Sequence, residues 1–491
     1  MRAAKLVLCV LTASLLMSAP LAQANRDPAR LKKGLEAIRP EEAYALCKTL
    51  ASPEFSGRLT GQQGYTAACR WAALKFKEWG LKPLSAQEGY LQSFPAPYSL
   101  IDKADMALLL PEKTADGSVK LAEVRLEAGK DFLPLLFSDS GRAEAGLAFA
   151  GWGICAPELG YDDYAGLEVK GRFILCFRGT PDPSDKRYQD YDQHRTRMKT
   201  ARDKGALGLV YIYPEVSANP NGDWLPGFTP AEISEQTADL LFKDKGFTSA
   251  DLRKDLAAIK RPLSFPLEAG LRYSVESRHF ADGLGLNVVG WLEGSDPKLK
   301  NECLIFGGHF DHCGRHLGIL FPGADDNASG SATVMEIAQA WTALGRQPRR
   351  SAVFVLFGGE EMGLLGSNYF AGHLPPRFTK VTAMFNFDMT GEGDGTRAGV
   401  SPEPAALQQA LEEADRGVKI LRGLRPIQGI GVRSSDFAPF FLQGIPCLSL
   451  GSNGPHLFYH QAGDTIYRIN PDIMADIARL AFLAGAALAD R

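Results

Sequence analysis

A chain of 491 residues with 45% hydrophobic and 23% charged residues has the composition of a folded globular protein, which excludes a disordered or low-complexity chain, and its size favours more than one domain. Its formal charge of −3, with no basic tract and no aromatic-rich basic stripe, argues against nucleic acid and anionic membrane surfaces as partners.

The amino terminus reads as an address. Arg2 and Lys5 precede the apolar run from Leu6 to Met17, and Ala22-Gln23-Ala24 is a small-x-small cleavage site, the pattern of a secretory signal peptide over residues 1–24. Cleavage after Ala24 leaves Asn25 first and sends the protein to the periplasm or the medium. The run is too short to span a bilayer, so no membrane anchor is expected, and Leu8 ahead of Cys9 argues against a lipid anchor. The mature chain keeps seven cysteines, an odd number, so at least one stays unpaired. None forms the CxxC pair of a structural zinc site.

Residues 25–97 read as helical, with apolar spacing in EEAYALCKTLA and an amphipathic run from Tyr65 to Trp79 that stops at Gly80. From 98 to 283 the texture becomes β-rich, with the short runs GLAFAGWGI, GRFILCFRG and LGLVYIYPE between Gly, Pro and Asp turns. That stretch reads as an inserted domain. From 284 to 491, strands alternate with helical patterns, and the chain closes in an apolar helix from Pro471 to Ala489.

Five segments of this last part carry the chemistry: GGHFDHCG with His309 and Asp311, PGADDNASG with Asp325 and Asp326, FGGEEMG with Glu360 and Glu361, FNFDMTG with Asp388, and GPHLFYHQAGDT with His456 and His460. Four of them follow apolar runs long enough for buried strands, and open α/β sheets bind ligands beyond the carboxyl ends of their strands. In His309-Phe310-Asp311 the two polar side chains leave an extended segment on one side, so Asp311 is expected to hold the His309 imidazole in its metal-binding tautomer. Adjacent buried aspartates repel unless a cation compensates them, so one of Asp325 and Asp326 is expected to bind metal and the other to serve as a cap. Glu360 and Glu361 point different ways, which lets one bind metal while the other faces the water that the metal activates. With Asp388 and His460 the set comes to two histidines and three carboxylates. It suits two zinc ions that share one carboxylate, each keeping a position for water.

The order HxD, GADDNASG, GGEEMGLLGS, NFDMTG and YHQAGDT resembles the secreted M28 peptidases, and GWGICAPELGYDDYAGLEVKGRFILCFRG with KGALGLVYIY resembles the protease-associated (PA) domain inserted in many of them. The resemblance extends to SGRLTGQQG and NVVGWLEGSDP. It implies an α/β fold with a mixed, mainly parallel sheet flanked by helices and an inserted β-rich PA domain. It also implies two Zn2+ per chain, one on Asp326, Glu361 and His460 and the other on His309, Asp326 and Asp388. Glu360 would be the general base, Asp311 the partner of His309, Tyr459 a support for the oxyanion, and His456 a substrate contact. One departure is Phe437 in Ser435-Asp436-Phe437, where many relatives carry histidine.

The expectation is an exported metallo-aminopeptidase acting on peptide or protein amino termini. The ligand-bearing segments hold few cations to clamp a substrate carboxylate, Arg315 being nearest in sequence and Arg433 standing before Ser434-Ser435-Asp436. The alternatives are a glutaminyl cyclase-like acyltransferase with a single zinc, a carboxypeptidase or dipeptidase of the same family, and a non-catalytic binding protein.

Overall fold

Continuous apolar runs make buried strands, and four of them form the centre of a nine-stranded sheet. In this computed structural model, which describes residues 28–393, 398–400, 405–416, 418, 424–426 and 434–491, these strands are β1 (Glu302–His309), β2 (Ser351–Phe357), β3 (Lys380–Phe387) and β4 (Cys447–Ser452). They run parallel in the order β2-β1-β3-β4. Both faces are covered, which is why they read as near-unbroken apolar runs. Alternate side chains divide between the faces. Phe306 stacks on Phe354 and Phe385 of the neighbouring strands at 5.5 and 5.1 Å between ring centroids, beneath Trp341 of the helix Gly330–Thr342. On the other face Ile305, Val353, Val355 and Met384 pack with Phe370 and Phe440 from the helices Leu365–Gly372 and Ala438–Leu442.

The closing helix, Pro471–Ala489, starts at an Asn470 cap that accepts the Asp472 amide, and it crosses β1 at Gly485. A Cβ there would overlap the Phe306 ring, so glycine permits the close approach. The helix Gln63–Glu78 buries Tyr65, Ala68, Cys69, Ala72 and Phe76 on one stripe. Residues 82–95, read as part of a helical region, instead add two edge strands, Lys82–Pro83 and Leu91–Pro95. Both pair antiparallel with Leu284–Leu292, itself antiparallel to β2. The sheet is thus mixed, parallel at its centre and antiparallel towards its flanks.

A second sheet, of eight strands, lies between residues 98 and 280. Its long strands Tyr98–Lys113 and Ser264–Phe280 pair antiparallel, so the chain enters and leaves this unit side by side. The unit is not purely β: the helices His194–Asp203, Glu235–Phe242 and Ser249–Ile259 flank the sheet. Cys47, Cys69, Cys155, Cys176, Cys303 and Cys313 are free thiols, all of them buried except Cys155. Among the described residues no helix is long and apolar enough to cross a membrane. Residues 1–24, read above as a signal peptide, and Arg433 lie outside the described residues.

Candidate metal centre

The parallel strands deliver their polar residues to one end. His309 is the last residue of β1, Glu360 and Glu361 follow β2, Asp388 follows β3, and the His456–His460 loop follows β4. Asp325 and Asp326 precede the helix Gly330–Thr342.

His309 Nε2 lies 3.2 Å from Asp326 Oδ1 and 3.2 Å from Asp388 Oδ1. His460 Nε2 lies 3.2 Å from Asp326 Oδ2 and 2.8 Å from Glu361 Oε2. The two oxygens of Asp326 therefore face different histidines. Among the described residues, the buried Asp326 Oδ2 and His460 Nε2 have no hydrogen-bond partner, so they converge on a common point without bonding each other. Buried lone-pair donors arranged in this way fit a divalent cation. The carboxylates around them favour the charged form of both histidines. Burial alone would keep His309 neutral, but Asp388 and Glu360 raise it well above the ordinary imidazole range, and Glu361 helps raise His460 in the same way.

The two glutamates differ. Burial pushes Glu361 up, yet His460 and His312 outweigh it and bring its carboxyl down to about 2. Glu360 is only partly enclosed as a residue, but loss of solvent around its carboxyl, then Asp436, Glu361 and Asp388, raise it well above the ordinary range against the opposing charge of His309.

Several expectations need correction. Asp311 Oδ1 stands 4.0 Å from His309 Nδ1, too far for a hydrogen bond, and that nitrogen faces the Asp311 main-chain carbonyl at 3.3 Å. The carboxylate instead accepts the Glu360 amide at 3.1 Å. It kinks back because the chain leaves the strand after His309, so the period-2 argument stops one residue short. Asp325 accepts the Gly391 and Glu392 amides at 2.9 and 3.0 Å and pairs with His456 Nδ1 at 2.5 Å. It ties loops together rather than capping a helix, and it engages His456 through Nδ1. Tyr459 is 52% exposed and lies flat on the His460 ring at 3.9 Å.

Four further side chains shape the centre. His312 donates from Nδ1 to Glu361 Oε1 at 2.8 Å. Ser435 donates to Asp388 Oδ2 at 2.6 Å and accepts from Asn386 at 2.8 Å. Asp464 accepts the Asp325 and Asp326 amides at 2.8 and 3.0 Å. Arg58, fully buried, donates to the main-chain carbonyls of Leu50, Phe310, Pro322 and Gly323. His312, Ser435 and Asp464 stand within the polar motifs GGHFDHCG, SSD and QAGDT, which is the signal that could have found them. Backbone strain marks the same loops: Met389 and His460 are both non-glycine residues at φ +54 and +58.

Residues 287–484, which include every candidate ligand, match the family model described as Peptidase family M28. The chain is 31% identical over 189 residues to Leupeptin-inactivating enzyme 1 of Streptomyces exfoliatus, covering 38% of this chain and 40% of that protein. It is 26% identical over 463 residues to Probable glutamate carboxypeptidase VP8 of Zea mays, covering 83% and 60%. The matches therefore span between two-fifths and three-fifths of these curated relatives. In solved structures, the fold is similar to that of the aminopeptidase from Aneurinibacillus sp. strain AM-1, with a TM-score of 0.62 at 20% identity over 93% of this chain and 95% of that one. Over residues 287–484, the part that holds the site, the chain is thus similar to peptidase family M28.

Proposed function

We propose that this protein is an exported di-zinc hydrolase that removes amino-terminal residues from peptides. One observation carries the reading: each oxygen of Asp326 faces its own histidine, and each histidine is joined by a further carboxylate. One ion would be held by His309, Asp326 and Asp388, the other by Asp326, Glu361 and His460. Donors about 2.0–2.2 Å from a tetrahedral zinc stand roughly 3.3 Å apart, which the donor separations approach. The export reading rests on the amino-terminal sequence.

When bound, the ions supply Lewis acidity and make water a nucleophile near neutral pH. Glu360 takes the proton of the attacking water and returns it to the leaving nitrogen. Asp311 fixes Glu360 through its amide, Ser435 and His312 fix Asp388 and Glu361, and exposed Tyr459 is the candidate donor to the substrate carbonyl oxygen.

The concentration of Asp311, Asp326, Glu360, Glu361, Asp388 and Asp436 suits a substrate ammonium better than a carboxylate. The relative from Streptomyces exfoliatus is named for inactivating leupeptin, and the similar Aneurinibacillus structure is an aminopeptidase. The Zea mays relative is named as a carboxypeptidase, so direction must be tested directly. Elemental analysis of the purified protein is expected to give two zinc ions per chain. A single tightly bound ion with full activity would favour the cyclase-like reading. Of two matched peptides, one acetylated at its amino terminus and one amidated at its carboxyl terminus, the acetylated one should resist and the amidated one should be cut. The reverse outcome would make this a carboxypeptidase.

A further inference from the structure

The inserted unit and the catalytic domain enclose a cavity of about 390 Å3, within the ~300–1,000 Å3 range of pockets that bury small ligands. Three of its walls are tied to the metal centre. Met362 and Leu365 belong to the turn in which Gly363 and Leu364 donate back to the Glu360 carbonyl. Leu59 precedes Thr60, whose hydroxyl accepts the Gly359 amide at 2.8 Å. The wall of Gly222 and Trp224 follows Ala218, which donates its amide to the His460 carbonyl at 2.8 Å. The lining thus adjoins in the chain the segment of Glu360 and Glu361 and, through Ala218, is hydrogen-bonded to that of His460.

The walls are mainly apolar. Leu59, Phe137 and Met362 are buried, and Trp224 lies parallel on His279 at 4.4 Å and 3°, which His279 supports through Ser99 at 3.0 Å. The one ion pair on the lining, Arg195 with Asp223 at 2.6 Å, is partly exposed and balances its own charge. Nothing here asks for a charged occupant. The Trp224 indole N–H is enclosed and has no acceptor among the described residues, a vacancy that a peptide carbonyl would satisfy.

We propose that this cavity is a substrate side-chain pocket, built jointly by the two domains, that selects peptides with a bulky apolar residue, aromatic above all, beside the cleaved bond. The proposal rests on the peptide-hydrolase reading. An aromatic side chain gains from burying its large apolar surface and from offset contact with Trp224 and Phe137. The inserted unit then sets specificity instead of standing apart from catalysis.

The test uses the zinc-loaded full chain and alanine peptides with one phenylalanine moved through the positions around the cleaved bond. At one position phenylalanine should raise kcat/KM over alanine by about ten-fold or more, mainly through KM. Trp224→Ala should cut that phenylalanine-to-alanine ratio by about ten-fold, and Phe137→Leu, a milder change in another wall, should cut it in part while thermal unfolding shows an intact fold. A ratio that survives both substitutions, or no position that favours phenylalanine, overturns the pocket and leaves the hydrolase reading standing. A preference for glutamate that Arg195→Met abolishes also overturns it. If the zinc-loaded protein cuts none of the peptides, the hydrolase reading fails and the pocket falls with it.

Discussion

Glu360 and Glu361 are chain neighbours with opposite surroundings. Glu361 sits between two imidazoles, His312 and His460, which keep it ionised, whereas Glu360 gathers carboxylates around it. Glu360→Gln keeps the shape and removes the proton acceptor, so metal content should stay near normal while turnover falls by roughly 100-fold or more. Glu361→Gln should lower metal content as well, because it removes a charge that both histidines face. Metal analysis of the two variants side by side checks the assignment, and a reversed pattern would exchange the roles. At this scale the sequence was informative about residue type and silent about pairing. HxD suggested a carboxylate-imidazole contact, but the chain turns after His309, and the bond that forms runs from the Glu360 amide to Asp311. Ser435 and Asp464 could be seen as polar residues in polar motifs. Their partners are 47 and 138 or more residues away, a relation that only the closed fold creates.

At the level of elements, legibility followed burial. β1 to β4 are covered on both faces and read as unbroken apolar runs, and the closing helix was bounded by its Asn470 cap and apolar length. The edge strands Lys82–Pro83 and Leu91–Pro95 are short and half exposed, so neither period nor composition announces them. The helix Gly330–Thr342 carries a hidden feature, Glu336, which is fully buried and accepts the Arg39 amide at 3.1 Å through Oε2. Its other oxygen has no partner among the described residues. Burial, reinforced by Glu42, pushes its carboxyl up to about 8. The folded protein therefore holds a proton on Glu336 that the unfolded chain releases near pH 4.5, and stability should fall as pH rises from there towards 8. Glu336→Gln keeps the acceptor for Arg39 and removes the ionisation. Its unfolding free energy should decline less over that window, by on the order of a few kcal/mol at pH 8. Parallel pH dependences for variant and wild type in denaturant titrations would show that Glu336 ionises in the fold without cost.

In the whole molecule a short segment of the inserted unit touches the His460 loop. Glu232, on the strand Ala231–Ser234 of the second sheet, is fully buried and accepts the Ser217 amide. The next residue, Ala218, donates to the His460 carbonyl and accepts from the Cys313 thiol at 3.4 Å. His460 holds a left-handed backbone, a conformation its own chain does not favour. The order of the chain thus places a carboxylate of the second sheet two contacts away from His460, a proposed ligand, and no local sequence pattern could have revealed it. Groups that orient ligands from outside typically change metal affinity by about 10–100-fold when removed. Glu232→Ala should therefore loosen Ser217 and Ala218 and weaken retention of the ion that His460 holds by about ten-fold. The ion on His309 and Asp388 should be less affected, so chelator titration should separate into two steps where wild type releases its metal more nearly together. Glu232→Gln retains an acceptor oxygen for the Ser217 amide and should restore the wild-type profile. If Glu232→Ala unfolds earlier on heating but loses its metal as wild type does, the contact stabilises the junction of the domains without positioning the ligand.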